Sequence, residues 1–301
     1  MRLEVEGEES TEVSVQLPNG PGAPAVDEGD DVLLLHMETP DGVTWSVIDH
    51  QRGTQLWILA GVFVLAVVAF GRWRGVTSLL GLALTFAVLL FFVVPGILGG
   101  ESPLLIALVG SSAIVLSVLY LTHGVSLVTT VAVLGTLASL ALTGVLASVT
   151  VEAMHLTGIT DDVSTVVGME FGVNMQGLLL AGIMIGSLGV LDDVTVTQSA
   201  TVTEIARANP AYSPAHLYRA GSRVGRSHIA SVINTIILAY AGATLPLFVL
   251  IVANNASLGG VVSDQVIAQE IVRSAVATIG LIAAVPLTTA LAAIVARHTS
   301  R

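Results

Sequence analysis

The chain has no cysteine and no lysine; all eleven of its basic residues are arginine. Without thiols there is no disulfide, thiol nucleophile, iron–sulfur cluster or zinc–thiolate site. Without lysine there is no Walker A phosphate contact, Schiff base or kinase-type phosphate lysine. HExxH, P-loop and dinucleotide glycine motifs are missing as well. Charge is scarce, at 11% of residues, where soluble domains carry about 25%. In its place stand 53% hydrophobic residues and a mean hydropathy of +0.86, so most of the 301 residues belong in lipid. The expected fold class is an all-α polytopic membrane protein of about seven transmembrane helices, with a small N-terminal β-rich extracytoplasmic region. No enzyme activity, catalytic residue, cofactor or metal is expected.

Residues 1–52 form the polar region, and twelve of the 22 acids fall within the first fifty positions. Alternation from Val13 to Leu17, followed by Asn19-Gly20, reads as a strand and a turn. Asp31–Met37 and Val43–Asp49 are two further strands, and Glu28-Gly29-Asp30-Asp31-Val32 resembles the turn that opens a strand in small barrel-like modules. The membrane domain is placed at 53–301. Its apolar segments are Gln55–Phe70, Val76–Leu98, Pro103–Thr122, Ser126–Val149, Gly177–Val202, Ile229–Ala253 and Ile271–Ala296. Most approach the roughly 20 residues that a spanning helix needs. Alternate loops hold Arg72 and Arg74, then Arg207, Arg219, Arg223 and Arg226, then Arg297 and Arg301, so eight of eleven arginines share one side. The positive-inside rule then places the N-terminus outside the membrane and the C-terminus in the cytoplasm.

Asp192 and Asp193 lie side by side in the fifth segment. A helix starting at Gly177 puts Asp192 ~22 Å along its axis, inside an apolar layer ~30 Å thick. One such aspartate costs about 2.5–3.5 kcal/mol near a helix centre, so a pair there is expected to serve a purpose inside the bundle. Asp193 shares a helix face with Gly182, Gly186 and Gly189, a small-residue row that allows another helix to pack closely, with Thr197 one turn further on. Asp192 points about 100° away, beside Thr195 and Ser199. Asn234, with Ser227 and Ser231, gives the sixth span a polar stripe suited to interhelical hydrogen bonds. Thr129, Thr136, Ser139 and Thr143 on the fourth span are expected to satisfy backbone carbonyls. The acidic stretch Val151–Gln176, with Glu152, His155, Asp161, Asp162 and Glu170, reads as a solvated connector. The arginine-rich stretch Glu204–His228 reads as an inner loop set by topology and anionic headgroups.

The string from Leu178 to Glu204, LLLAGIMIGSLGVLDDVTVTQSATVTE, resembles the YibE/F-like family of bacterial multi-pass membrane proteins. Arg74-Gly75, Pro95 and the turn Leu121-Thr122-His123-Gly124 are similar too, and the likeness runs from about Arg52 to the C-terminus. Carried over residue by residue, it implies a functional core of Gly182, Gly186, Gly189, Asp192, Asp193, Thr195, Thr197 and Gln198. Family members begin with a further hydrophobic segment and a longer extracytoplasmic domain, so the β region here is expected to be incomplete. The resemblance implies the architecture and a bacterial plasma-membrane location, and no reaction.

The expected function is permease-like movement of a small solute or ion, using a site of Asp192, Asp193, Thr195, Thr197, Gln198 and Asn234, with Gly182, Gly186 and Gly189 packing helices. One alternative is a membrane sensor or scaffold whose arginine-rich loop docks a cytoplasmic partner. An intramembrane hydrolase, built on Ser112 and His123 or on paired aspartates, is a second; both aspartates occupy one helix, which argues against it. Expected partners are the lipid bilayer and the solute or ion; nucleic acid is not expected, and the number of copies is open, a homo-oligomer included.

Overall fold

The structure is a computed structural model that describes residues 2–5, 11–15, 20, 25–27, 29–39, 42–253 and 258–299. It divides into two compact units, Met1–Gly75 and Val76–Arg301.

In the first unit, strands β1 (Arg2–Val5) and β2 (Thr11–Ser14) pair antiparallel, as do β3 (Val32–Thr39) and β4 (Gly42–His50), the latter with a bulge at Leu33/Leu34. β1 is an addition to the expected strands. Positions 16, 17 and 19 of the expected Val13–Leu17 strand and Asn19-Gly20 turn lie outside the described residues. The turn before β3 is built as expected: Gly29 takes φ +99°, and the Asp30 carboxylate accepts from the Asp27 amide at 2.9 Å. A small core of Val15 and Val47, flanked by Val26, Val32, Leu34 and Trp45, holds the hairpin elements together.

Helix α1 (Gly53–Val88) joins the first two expected spans. No proline or loop separates them, and the helix is broken only at Arg72 (φ 51°, ψ −130°). The break brings Gly75 against Val67, where an added Cβ would stand 2.3 Å from the carbonyl oxygen, so glycine is required.

α1 runs on through a π-helical turn, Leu89–Val93, into α2 (Val94–Leu98). Pro95 has no amide to offer the carbonyl four residues back, and the wider turn accommodates its ring. Then come α3 (Pro103–His123), α4 (Leu127–Ala153), α5 (Asp162–Glu170), α6 (Met175–Ala208), α7 (Pro214–Ala243), α8 (Leu245–Ala253), α9 (Leu258–Ser263) and α10 (Gln265–Thr299).

Among the described residues, five helical runs are long and apolar enough to cross a membrane: Gly53–Leu98, Pro103–His123, Leu127–Ala153, Met175–Ala208 and Gln265–Ala296. A sixth is the pair α7 and α8, bent by 63°. Seven separate spans were expected; by length and composition the described helices give five runs, or six with the bent pair. The first two segments are one run of 46 residues, although that run alone has the length of two crossings at about 1.5 Å per residue. The sixth segment is also not straight: Pro246 cannot donate a helical hydrogen bond and its ring crowds the preceding turn, so the axis breaks at Thr244.

The two polar connectors are more ordered than expected. The acidic one contains α5, whose first turn is closed by a reciprocal cap: the Ser164 amide donates to the Asp161 carboxylate at 2.7 Å, and the Asp161 amide donates to the Ser164 hydroxyl at 3.1 Å. The arginine-rich one is mostly the end of α6 and the start of α7.

α6 is the central helix of the second unit, packed against α3, α4, α7 and α10. α4 and α10 approach through glycines. A Cβ on Gly135 would stand 2.3 Å from the Thr288 hydroxyl oxygen, and one on Gly280 would stand 2.0 Å from that of Thr143. No hydrophobic effect drives helices together within lipid, so close van der Waals contact of this kind supplies the cohesion.

Two outcomes follow for stability. Gly280→Ala should destabilise the protein by about 1–3 kcal/mol, the usual scale of overpacking, and Thr143→Ala in the same chain should recover most of that loss in a thermal-unfolding double-mutant cycle. The Asp161 cap holds its carboxyl below the ordinary aspartate value of 3.8, chiefly because the Ser164 amide donates to it. A depressed folded value means that the cap's contribution is present above the unfolded value and lost as pH falls through the folded one. Exchange protection of the Ser164 amide should therefore drop at pH below 3.8 in the native chain and be weak at neutral pH in Asp161→Ala.

Candidate functional site

α6 forms because Asn174 accepts from the Gly177 amide at 3.0 Å to open it and a long run of residues without proline follows. Its period puts Gly182, Gly186, Gly189, Asp193 and Thr197 on one face, and Thr195, Gln198, Ser199 and Val202 on others. The bundle treats the faces differently.

The inward faces are buried, and their polar side chains hydrogen-bond within the bundle. Thr195 is completely buried; its hydroxyl lies 2.6 Å from that of Thr136 on α4 and 3.1 Å from the Asp192 carbonyl oxygen, to which it donates. Gln198, 4% exposed, donates from Nε2 to the Gly221 carbonyl at 2.9 Å and to the Thr289 hydroxyl at 2.7 Å. One amide thereby links α6 to α7 and α10. Ser199 donates to the Val128 carbonyl on α4 at 2.8 Å. Gly221 and Gly225 give Gln198 its room: a Cβ at Gly225 would stand 2.8 Å from Oε1. On α4, Thr136, Ser139 and Thr143 each donate to the carbonyl one turn back, at 2.8–2.9 Å.

The outward face is open. Nothing stands within 4 Å of a Cβ built on Gly182 or Gly189, and only the Tyr240 hydroxyl, at 3.3 Å, faces Gly186. Within the described residues only Gly186 of this row meets a neighbouring helix, through Tyr240 on α7. Glycines that do bring helices together are Gly135, Gly221, Gly225 and Gly280. Asp193 and Thr197 are exposed on the open face, and Asp192 is half-buried beside it.

Asn234 is exposed on α7, as are Ser227 and Ser231, and none of the three makes an interhelical hydrogen bond. Contacts of Tyr240 with Gly186 and of Gly225 with Gln198 fix an antiparallel register. It sets Asn234 at the height of Gly189 to Asp192.

The structure thus separates the candidate residues into two groups. Thr195 and Gln198 belong to the packed interior; Asp193 and Thr197 line the open face, with Asp192 at its border and Asn234 level with it on the neighbouring helix. Thr288, Thr289, Gly221 and Gly280 carry the interior contacts and were not singled out by the sequence. Their only local signal is small or hydroxyl residues within apolar runs, which is common in membrane helices. Ser112 and His123 stand eleven residues apart on α3, about 16 Å along the axis, too far for a nucleophile and its base. Among the described residues no three acids or histidines converge on a metal-binding position.

Long apolar helices held by glycine contacts and buried hydroxyl and amide bonds define a helical membrane protein. The profile described as YibE/F-like protein matches residues 59–298, and the chain belongs to that family. No curated protein and no solved structure matches it.

Removing the amide at Gln198 tests its bracing role. Gln198→Leu leaves the Gly221 carbonyl without that donor and should lower stability by about 1–3 kcal/mol. Thr197→Ala, on the open face, should leave thermal unfolding within about 0.5 kcal/mol.

Proposed function

We propose that this protein moves a small cation, or a solute accompanied by one, across the bacterial plasma membrane, with the Asp192 and Asp193 carboxylates attracting the charge. The observation that carries this reading is the division of α6. The central helix of the bundle commits its other faces to closed packing and leaves Gly182, Gly186, Gly189, Asp193 and Thr197 as an uncovered polar path. A carboxylate on a helix this apolar is costly unless water, a cation or a partner group meets it. Small residues on the same face leave space for a hydrated ion, and Asn234 offers an amide at the same height. Thr195 donates to the Asp192 carbonyl, so the buried network holds the backbone where the acids project. With the arginine-rich start of α7 on the cytoplasmic side, the path runs from the acidic connector outside to that end.

A second reading is supported by Arg219, Arg223 and Arg226. They are exposed on α7 at helical spacing, a cationic row suited to an acidic cytoplasmic partner of a membrane sensor or scaffold.

The test is flux into proteoliposomes carrying a panel of monovalent and divalent cations and a pH-sensitive dye. Native protein should give a selective flux that falls at least tenfold in Asp193→Asn and further in the Asp192→Asn/Asp193→Asn double variant, with thermal unfolding unchanged. Equal flux in all three would remove the carboxylates from the mechanism. Absence of flux together with co-purification of a partner lost in Arg219→Gln/Arg223→Gln would favour the scaffold.

A further inference from the structure

At the end of the bundle where α4 begins and α6 and α10 finish, the three helices diverge around a cavity of about 520 Å³. Ser199 pins the first turn of α4 to α6 through the Val128 carbonyl. A core of Val131, Val202, Leu217, Ala292 and Ala293 closes the inner side. The walls are apolar, with Val131, Ala206, Ala292 and Val295 prominent among them. At the mouth stands Arg207, 69% exposed, whose guanidinium reaches the equally exposed Glu204 carboxylate at 2.6 Å. An exposed ion pair of this kind contributes little and exchanges readily. Arg207 therefore has donors to give to another anion.

We propose that this cavity binds an anionic lipid, with an acyl chain between α4, α6 and α10 and the headgroup phosphate on Arg207. The volume lies in the range of sites that take ligands with an apolar body, and apolar walls with a single cation at the rim match a molecule with one charged end. α7 begins at the same end and presents Arg219 to solvent. The guanidinium fork of Arg207 suits phosphate geometry. Ser126 and Thr203 add hydroxyl oxygens to the rim. A free phosphate shares the headgroup chemistry and lacks the chain, so the two sources are separable. Nothing in the proposal depends on Asp192 or Asp193.

The experiment uses the full chain in a zwitterionic detergent, with thermal unfolding and native mass spectrometry as readouts. Probes are phosphatidylglycerol, phosphatidylcholine, diacylglycerol and inorganic phosphate. Phosphatidylglycerol is expected to raise the unfolding midpoint saturably and to remain bound at about one per chain, while the other three do neither. Arg207→Gln should weaken that binding at least tenfold and Arg207→Lys much less. Ala206→Trp, which fills the cavity from α6, should abolish retention; Ala296→Trp fills it from α10 if the first variant does not fold. Equal retention by native protein, Arg207→Gln and either tryptophan variant would mean a merely annular lipid and would overturn the proposal. Equal stabilisation by inorganic phosphate would overturn it as well, because the cavity would then contribute nothing.

Discussion

Close approach of α4, α6 and α10 is the constraint on which the rest of the second unit depends. Lipid gives apolar side chains no reason to prefer one another, so the helices are held by contact distance and by hydrogen bonds that have no water to compete with them. Gly135 and Gly280 bring α4 and α10 near enough for hydroxyls to fill the space a Cβ would need. Gln198 then joins three helices through one amide. The hydroxyls on α4 satisfy carbonyls of their own helix, which lets them sit in a dry interior without loss.

Because the interior is closed in this way, polar residues on α6 fall into two classes by direction alone. Thr195, Gln198 and Ser199 point inward and brace the fold. Asp193 and Thr197 point outward, where among the described residues only Tyr240 reaches the glycine row. The adjacent aspartates are divided by the helical turn: one projects from the open face and the other is half-buried at its border. The residues proposed to meet a cation are thus held in place by residues that never touch it. Substitutions in the two classes should consequently separate fold stability from the proposed transport.

Breaks in the helices coincide with residues that cannot continue them or that need special backbone angles. The Pro95 region widens into a π turn, Pro246 follows the bend between α7 and α8, and Arg72 breaks the long first run. Such breaks let an apolar chain turn without exposing long stretches of unpaired backbone. Hydropathy marks apolar length, whereas helix continuity depends on dihedral angles that a hydropathy window does not register.

Composition and periodicity by themselves determined that this is a multi-helix membrane protein with a small β region, and the Leu178–Glu204 string pointed to its family. Those properties rest on local chemistry: apolar length, helical period and strand alternation act within a few residues. They also determined that Asp193, Gly182, Gly186 and Gly189 share a face, since that follows from 3.6 residues per turn. What covers that face was decided only by tertiary structure, and so was the choice of glycines that join helices. Gly280 meets Thr143, and Gln198 meets Thr289, across separations of many tens of residues. Contacts of that kind depend on how whole helices cross, and no local pattern in either partner specifies the crossing.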